Sequence, residues 1–190
     1  MSVLKLYHAG YCVIEKPDIY YGRKNADFGQ GFYMSDSEEF AKRWIKQRND
    51  STAYINCYEL ETDGLEIKTL ERGAEWFEYI RANRALRPDS LSGYDVITGT
   101  VANDTIFDTL GFTTSGILTP GQALKALMTG PGYSQTVLKS ERAASHLRFI
   151  KADIFTHVES DRYAAALARE EEQFADIFFE TVNRFLQTKE

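Results

Sequence analysis

Strand-like and helical stretches interleave irregularly along this chain. A parallel doubly wound sheet needs strict β–α alternation, so the order of segments selects the α+β class. Residues 3–7 are short and β-prone, with Leu4 and Leu6 on one face. A loop follows from His8 to Gln30, punctuated by Pro17, Gly22 and Gly29, and residues 31–35 read as a second strand. Ser35 or Asp36 is placed to cap a helix with Glu38 and Glu39 in its acidic first turn and Phe40, Trp44 and Arg48 along one face. Residues 53–61 alternate as a half-buried strand does. Residues 72–84 carry Trp76, Phe77, Tyr79, Ile80 and Asn83 at helical spacing, and Pro88 with the turn signals after it ends that helix. Residues 94–101, 133–138 and 148–155 have strand composition. Thr119 before Pro120 is an N-cap followed by proline at the first helical position, with residues 123–128 as the helix. Residues 161–187 form a long amphipathic pattern, with Leu167, Phe174, Ile177, Phe178, Val182 and Phe185 on its apolar side.

All 190 residues read as one domain, a core over about residues 3–155 followed by the last helix, because proline is scarce and no Gly/Ser-rich linker divides the chain. A chain of this length buries a core without disulfide or metal staples. Its net charge is −6, shared by both halves, which excludes a basic nucleic-acid platform and leaves nucleic acid only as a substrate. No apolar run approaches the roughly 20 residues of a membrane helix, and the first residues lack the pattern of a secretory signal. Cys12 and Cys57 have no metal spacing, and the three histidines stand apart from any cysteine cluster. The expectation is a soluble, cytoplasmic domain with no metal and no membrane contact.

The sequence has no Walker loop, no Gly-x-Gly-x-x-Gly, no His-Glu-x-x-His and no Gly-x-Ser-x-Gly. What remains is a set of aromatic and polar residues in short strands bordered by glycines. His8 closes the first strand beside Ala9 and Gly10. It is either a donor to a ligand hydroxyl or a partly exposed loop side chain. In the run Asp27 to Ser35, two glycines one residue apart precede an apolar strand carrying Tyr33, and Trp44 follows eleven residues later on the next helix. These two aromatics are either the walls of a slot for a flat heteroaromatic ring or core side chains joining strand to helix.

Three segments resemble the three motifs of ADP-ribosyltransferases: Leu-Tyr-His at Leu6 to His8, Gly-Gln-Gly-Phe-Tyr-Met-Ser at Gly29 to Ser35, and Tyr-Ser-Gln at Tyr133 to Gln135. The branch is the diphtheria-toxin and poly(ADP-ribose) polymerase one, with its His, Tyr and Glu signature. The chain is more closely similar to a bacterial domain family of that superfamily. That family shares His8, Lys16-Pro17-Asp18, the run Asp27 to Tyr33, Val101 to Asp104, and a third motif containing Gln135. The resemblance spans about residues 3–150 and leaves the last helix outside. It implies a split-sheet core with NAD between two half-sheets. It also implies mono-ADP-ribosyl transfer from NAD, as substrate, to a protein, nucleic-acid or small-molecule acceptor, with release of nicotinamide. His8 would bond a ribose hydroxyl, and the backbone at Ala9, where many relatives have Gly, would hold the nicotinamide amide. Tyr33 would stack on the ring and Trp44 would be the second stacking residue. Gln135 stands where the best-known transferases place Glu.

That exchange has a chemical consequence. Cleaving the nicotinamide–ribose bond builds positive charge on the ribose, as glycosidases also do. A carboxylate beside it accepts a hydrogen bond and supplies negative charge; Gln keeps the acceptor and loses the charge, at a cost of about 2.7–4 kcal/mol for one such contact. Gln135 therefore points to mono-ADP-ribosyl transfer or to a silenced site, and not to chain elongation. Arg23 and Lys24 are candidates for the pyrophosphate: between Tyr21 and Arg48 six basic residues stand against four acidic ones. Asn103-Asp104 reads as a cap or as cleft residues, and Glu141 as a first-turn acid. The alternative function is a silent NAD-fold module acting through protein contact or self-association, with the C-terminal helix as its handle. A toxin, a defence component and a housekeeping modifier all remain open as roles.

Overall fold

The computed structural model describes residues 2–45, 52–102, 116–128 and 132–187. Arg48, Asn103 and Asp104, and the side chain of Leu167, lie outside the described residues. The described strands are β1 (Val3–Gly10), β2 (Phe32–Met34), β3 (Ala53–Glu61), β4 (Ile67–Leu70), β5 (Val96–Thr100), β6 (Ser134–Leu138) and β7 (Leu147–Phe155). The described helices are α1 (Glu38–Arg43), α2 (Ala74–Arg84), α3 (Pro120–Leu127), α4 (Glu141–Ser145) and α5 (His157–Gln187). The class is α+β, as the irregular interleaving requires.

The strands form two sheets, one of three strands in the order β1-β3-β7 and one of four in the order β2-β6-β5-β4. All pairings are antiparallel except β4 with β5. β1 and β2 belong to different sheets and are joined, among the described residues, by one bridge just past the end of β2, where the Tyr7 amide donates to the Ser35 carbonyl at 2.8 Å and the Ser35 amide donates back to the Tyr7 carbonyl at 2.9 Å. The faces that the sheets turn to each other are filled by Leu6, Tyr58 and Leu60 on one side and Phe32, Met34, Val96 and Leu138 on the other. The outer face of the four-stranded sheet packs under α2 through Ile97, Val137, Trp76, Phe77 and Ile80.

Local chemistry explains the elements, and in several places it differs from the expectation. The cap of α1 is Ser37, whose Oγ accepts from the Phe40 amide at 3.1 Å, and not Ser35 or Asp36. Ser35 is used otherwise: its hydroxyl donates to the Ser134 carbonyl at 3.0 Å and ties β2 to β6. β1 runs three residues past Tyr7, because the ladder to β3 continues to the pair Gly10 and Tyr54. β3 is buried on both faces, since the inter-sheet cluster covers one and the Ile45, Ala53, Ile55 and Phe155 cluster covers the other. β4 pairs in parallel with β5, and its four residues have no alternation that announces a strand. Thr119 and Gln122 form a reciprocal capping box at α3.

The C-terminal helix begins at His157, four residues before the expected start. Its Phe174, Phe178 and Val182 pack on Leu118 and Ala126. Ile177, expected on that stripe, is 48% exposed, because α3 is short and covers only a narrow band of a much longer helix. No helix among the described residues is long and apolar enough to cross a membrane.

Gly31 is set by close approach. A β-carbon there would lie 2.5 Å from the Leu138 carbonyl oxygen and 2.5 Å from Val137 Cγ1. Gly31→Ala should cost about 1–3 kcal/mol in urea denaturation, the range of overpacked sites. Ending the chain before α5 exposes Leu118 and Ala126, and light scattering should report aggregation or a changed oligomeric state.

Candidate functional site

His8 lies at the seam between the two sheets. Its ring stacks on Phe32 with centroids 4.7 Å apart, and its Nδ1 is 2.7 Å from the Tyr33 carbonyl oxygen. A carbonyl only accepts, so Nδ1 carries the proton, and burial holds the ring's pKa below the ordinary histidine value. Nε2 of this neutral tautomer is an acceptor. The ligand hydroxyl would donate to His8, which reverses the direction expected from the sequence. Gly10 keeps the space beside Nε2 open, since a β-carbon there would sit 3.3 Å from it.

Tyr33 and Gln135 face the other way. Phe32 and Tyr33 are consecutive in β2, so their side chains leave opposite faces of the sheet. Tyr33 pairs with Val137, and Gln135, two residues back along β6, points to the same face. Tyr33 therefore borders the α2 side while His8 stays with Phe32. The Tyr33 hydroxyl donates to the Gly29 carbonyl at 2.6 Å and accepts from the Phe28 amide at 3.0 Å. Burial pushes its pKa far up, so it stays a phenol. These two bonds require the turn at Gly29, whose φ of 72° is the region that glycine favours.

Gln135 is buried, and its Nε2 lies 3.5 Å from Asp27 Oδ2. Asp27 is the centre of a polar node that the sequence did not announce. Arg84 grips its Oδ1 with Nε at 2.9 Å and Nη2 at 2.5 Å, and the Ala102 amide donates to Oδ2 at 3.0 Å. The Asn83 side-chain Nδ2 donates to the Asp27 carbonyl at 3.2 Å. Arg84 could have been found: it falls seven residues after Phe77, on the apolar stripe of α2, where a charge needs a partner.

The remaining candidates are dispersed. Trp44 is the C-cap of α1 and meets Phe40 edge-on at 5.1 Å. Among the described residues no ring contact joins it to Tyr33. Phe40 stacks on Tyr133 at 4.3 Å, two residues before Gln135. The Tyr133 hydroxyl donates to Glu170 of α5 at 2.7 Å, and Arg43 reaches both at 2.5 Å. Ala9 pairs with Ile55, its methyl against the Ile45–Phe155 cluster. Arg23 is exposed and adds positive potential at Tyr33. Glu141 is the first-turn acid of α4, as expected.

The fold and the seam thus define a mixed α+β chain with a polar and aromatic site where two sheets touch. The chain belongs to the family described as protein of unknown function (DUF3990), whose model matches residues 4–149 and leaves α5 outside. No curated protein and no solved structure matches the chain.

Removing one partner of a buried ion pair strands the other. Arg84→Met should cost about 3–5 kcal/mol in chemical denaturation, and adding Asp27→Leu should recover part of it. His8 makes a pH prediction. Its folded form binds a proton at lower pH than the unfolded chain, so its contribution is intact above the unfolded value of about 6.5 and is lost progressively as the pH falls from there through the lower folded value. The stability difference between neutral and mildly acidic buffer should shrink in His8→Gln.

Proposed function

We propose that this protein is a mono-ADP-ribosyltransferase that cleaves NAD in the cytosol and passes ADP-ribose to a macromolecular or small-molecule acceptor. One observation carries the reading: the strands bearing His8, Tyr33 and Gln135, far apart in sequence, come together beside the Tyr7–Ser35 bridge that joins the two sheets among the described residues, with His8 against one face of the edge strand β2 and Tyr33 and Gln135 on its other face. In this reading, His8 Nε2 accepts from a ribose hydroxyl and the backbone at Ala9 holds the nicotinamide amide. The faces of Tyr33 and Trp44 border the nicotinamide, and Arg23 meets the pyrophosphate. Gln135 accepts from ribose through its amide oxygen, because its Nε2 is turned to Asp27. Asp27 does not replace the missing glutamate, since Arg84 neutralises it. The developing ribose cation is then stabilised by dipoles and not by a charge, which favours slow transfer of one unit.

A second reading has its own support. With no free carboxylate offered by Gln135 or Asp27, the same seam serves a silent NAD-binding module. The exposed Ile177, Phe179 and Leu186 of α5 would then be its contact with a protein partner or a second copy.

Nicotinamide release and calorimetry with NAD separate the readings. Trp44→Ala should weaken NAD binding by about 0.5–1.5 kcal/mol while leaving the seam intact. In a transferase, wild type releases nicotinamide and Gln135→Ala does not. In a silent module NAD binds without turnover. Gln135→Glu would set a second carboxylate beside Asp27 and hold its own proton above the usual carboxylate range, so any gain in cleavage should grow as pH rises. Absence of NAD binding at millimolar ligand sinks both readings.

A further inference from the structure

A cleft of about 530 Å³ opens between the loop that carries Tyr20 and Lys24 and the segment after α2 that carries Leu86, Arg87 and Ser92. Its volume is that of a small-molecule site. Lys139, just past the end of β6, lies beneath it, about 13 Å of strand from Gln135 at the other end. The cleft is distinct from the seam and does not depend on the reading of NAD.

Lys139 is spent. Its ammonium donates to the Phe28 carbonyl at 2.5 Å and the Gln30 carbonyl at 2.8 Å and pairs with Asp89 at 3.0 Å. It ties the two walls together and leaves no proton for a ligand. Lys24 and Arg87 are different: both are exposed, and among the described residues neither side chain has a hydrogen bond or ion pair. Two free cations thus line one cleft in a chain of net charge −6. The Ser92 hydroxyl is likewise uncommitted among the described residues.

The lip breaks a local rule. Leu86 has φ 55°, and it is the one non-glycine residue in the left-handed region among those described. It follows α2, where its amide bonds to the Asn83 carbonyl at 2.9 Å and the Arg87 amide bonds to Ala82 at 3.0 Å. Glycine fills that helix-ending position without strain; a leucine is strained there. What leucine adds is an apolar side chain, 66% exposed, on the cleft. Tyr20, 62% exposed, provides an aromatic face on the other wall.

We infer that this cleft binds a small phosphate ester carrying a flat ring, with the phosphate between Lys24 and Arg87 and the ring between Tyr20 and Leu86. The Ser92 hydroxyl donates to a phosphate oxygen.

Calorimetry on the full chain with phenyl phosphate and with inorganic phosphate tests the inference. Phenyl phosphate should bind more tightly than inorganic phosphate. The double variant Lys24→Gln, Arg87→Gln should weaken both by at least about tenfold, the loss of one charge-assisted contact or more. Its melting temperature without ligand should match wild type, because neither side chain has a partner to lose. Leu86→Gly relieves the strain, so it should fold at least as stably and lose the preference for the ring. No heat from either probe at millimolar concentration, or a double variant that binds as wild type does, overturns the site. Equal affinity of wild type for the two probes overturns its ring half.

Discussion

The carboxylate of Asp27 is the point through which the second motif is held. It sits in the glycine loop before β2, yet its partners come from α2, from the end of β5 and from β6. A buried carboxylate without partners would be too costly to keep ionised, so Arg84 and the Ala102 amide are conditions of the loop's shape. That loop in turn offers the Gly29 carbonyl and the Phe28 amide that hold the Tyr33 hydroxyl. Tyr33 is therefore oriented by a chain of contacts that begins at an ion pair.

The seam adds a second constraint. Two sheets joined, among the described residues, by one bridge leave a line along which backbone groups are not all used within a ladder. His8 occupies part of that line by donating to the Tyr33 carbonyl, and burial keeps the ring neutral for it. From the far side, Glu170 of α5 holds Tyr133 and Arg43. The helix outside the family match thus anchors the strand that carries Gln135.

The elements with a strong local signal were legible. The Thr119-Pro120 start of α3 and the Ser140 start of α4 follow from side chains acting on their own backbone, whereas β3 was legible as a strand but not as one buried on both faces. β4 was not, since its partner lies a helix away in sequence and its pairing is parallel. The cap of α1 was equally closed to inspection: Ser35 or Asp36 was expected, and Ser37 takes the position. All three are good caps, and Ser35 is removed from the contest only because Ser134 arrives beside it.

For the candidate site, the sequence by itself determined the residue types, their order and the glycines that let backbones approach. It also determined that position 135 carries an amide and not a carboxylate. Tertiary structure alone decided which way those residues face. Adjacent residues in β2 point to opposite sides, so the motif that brings His8 to Phe32 sends Tyr33 toward Gln135. It also decided that Asp27 meets Arg84, 57 residues further along the chain. Burial cost makes that partner necessary, but which partner it is depends on packing between elements, and no local pattern encodes it.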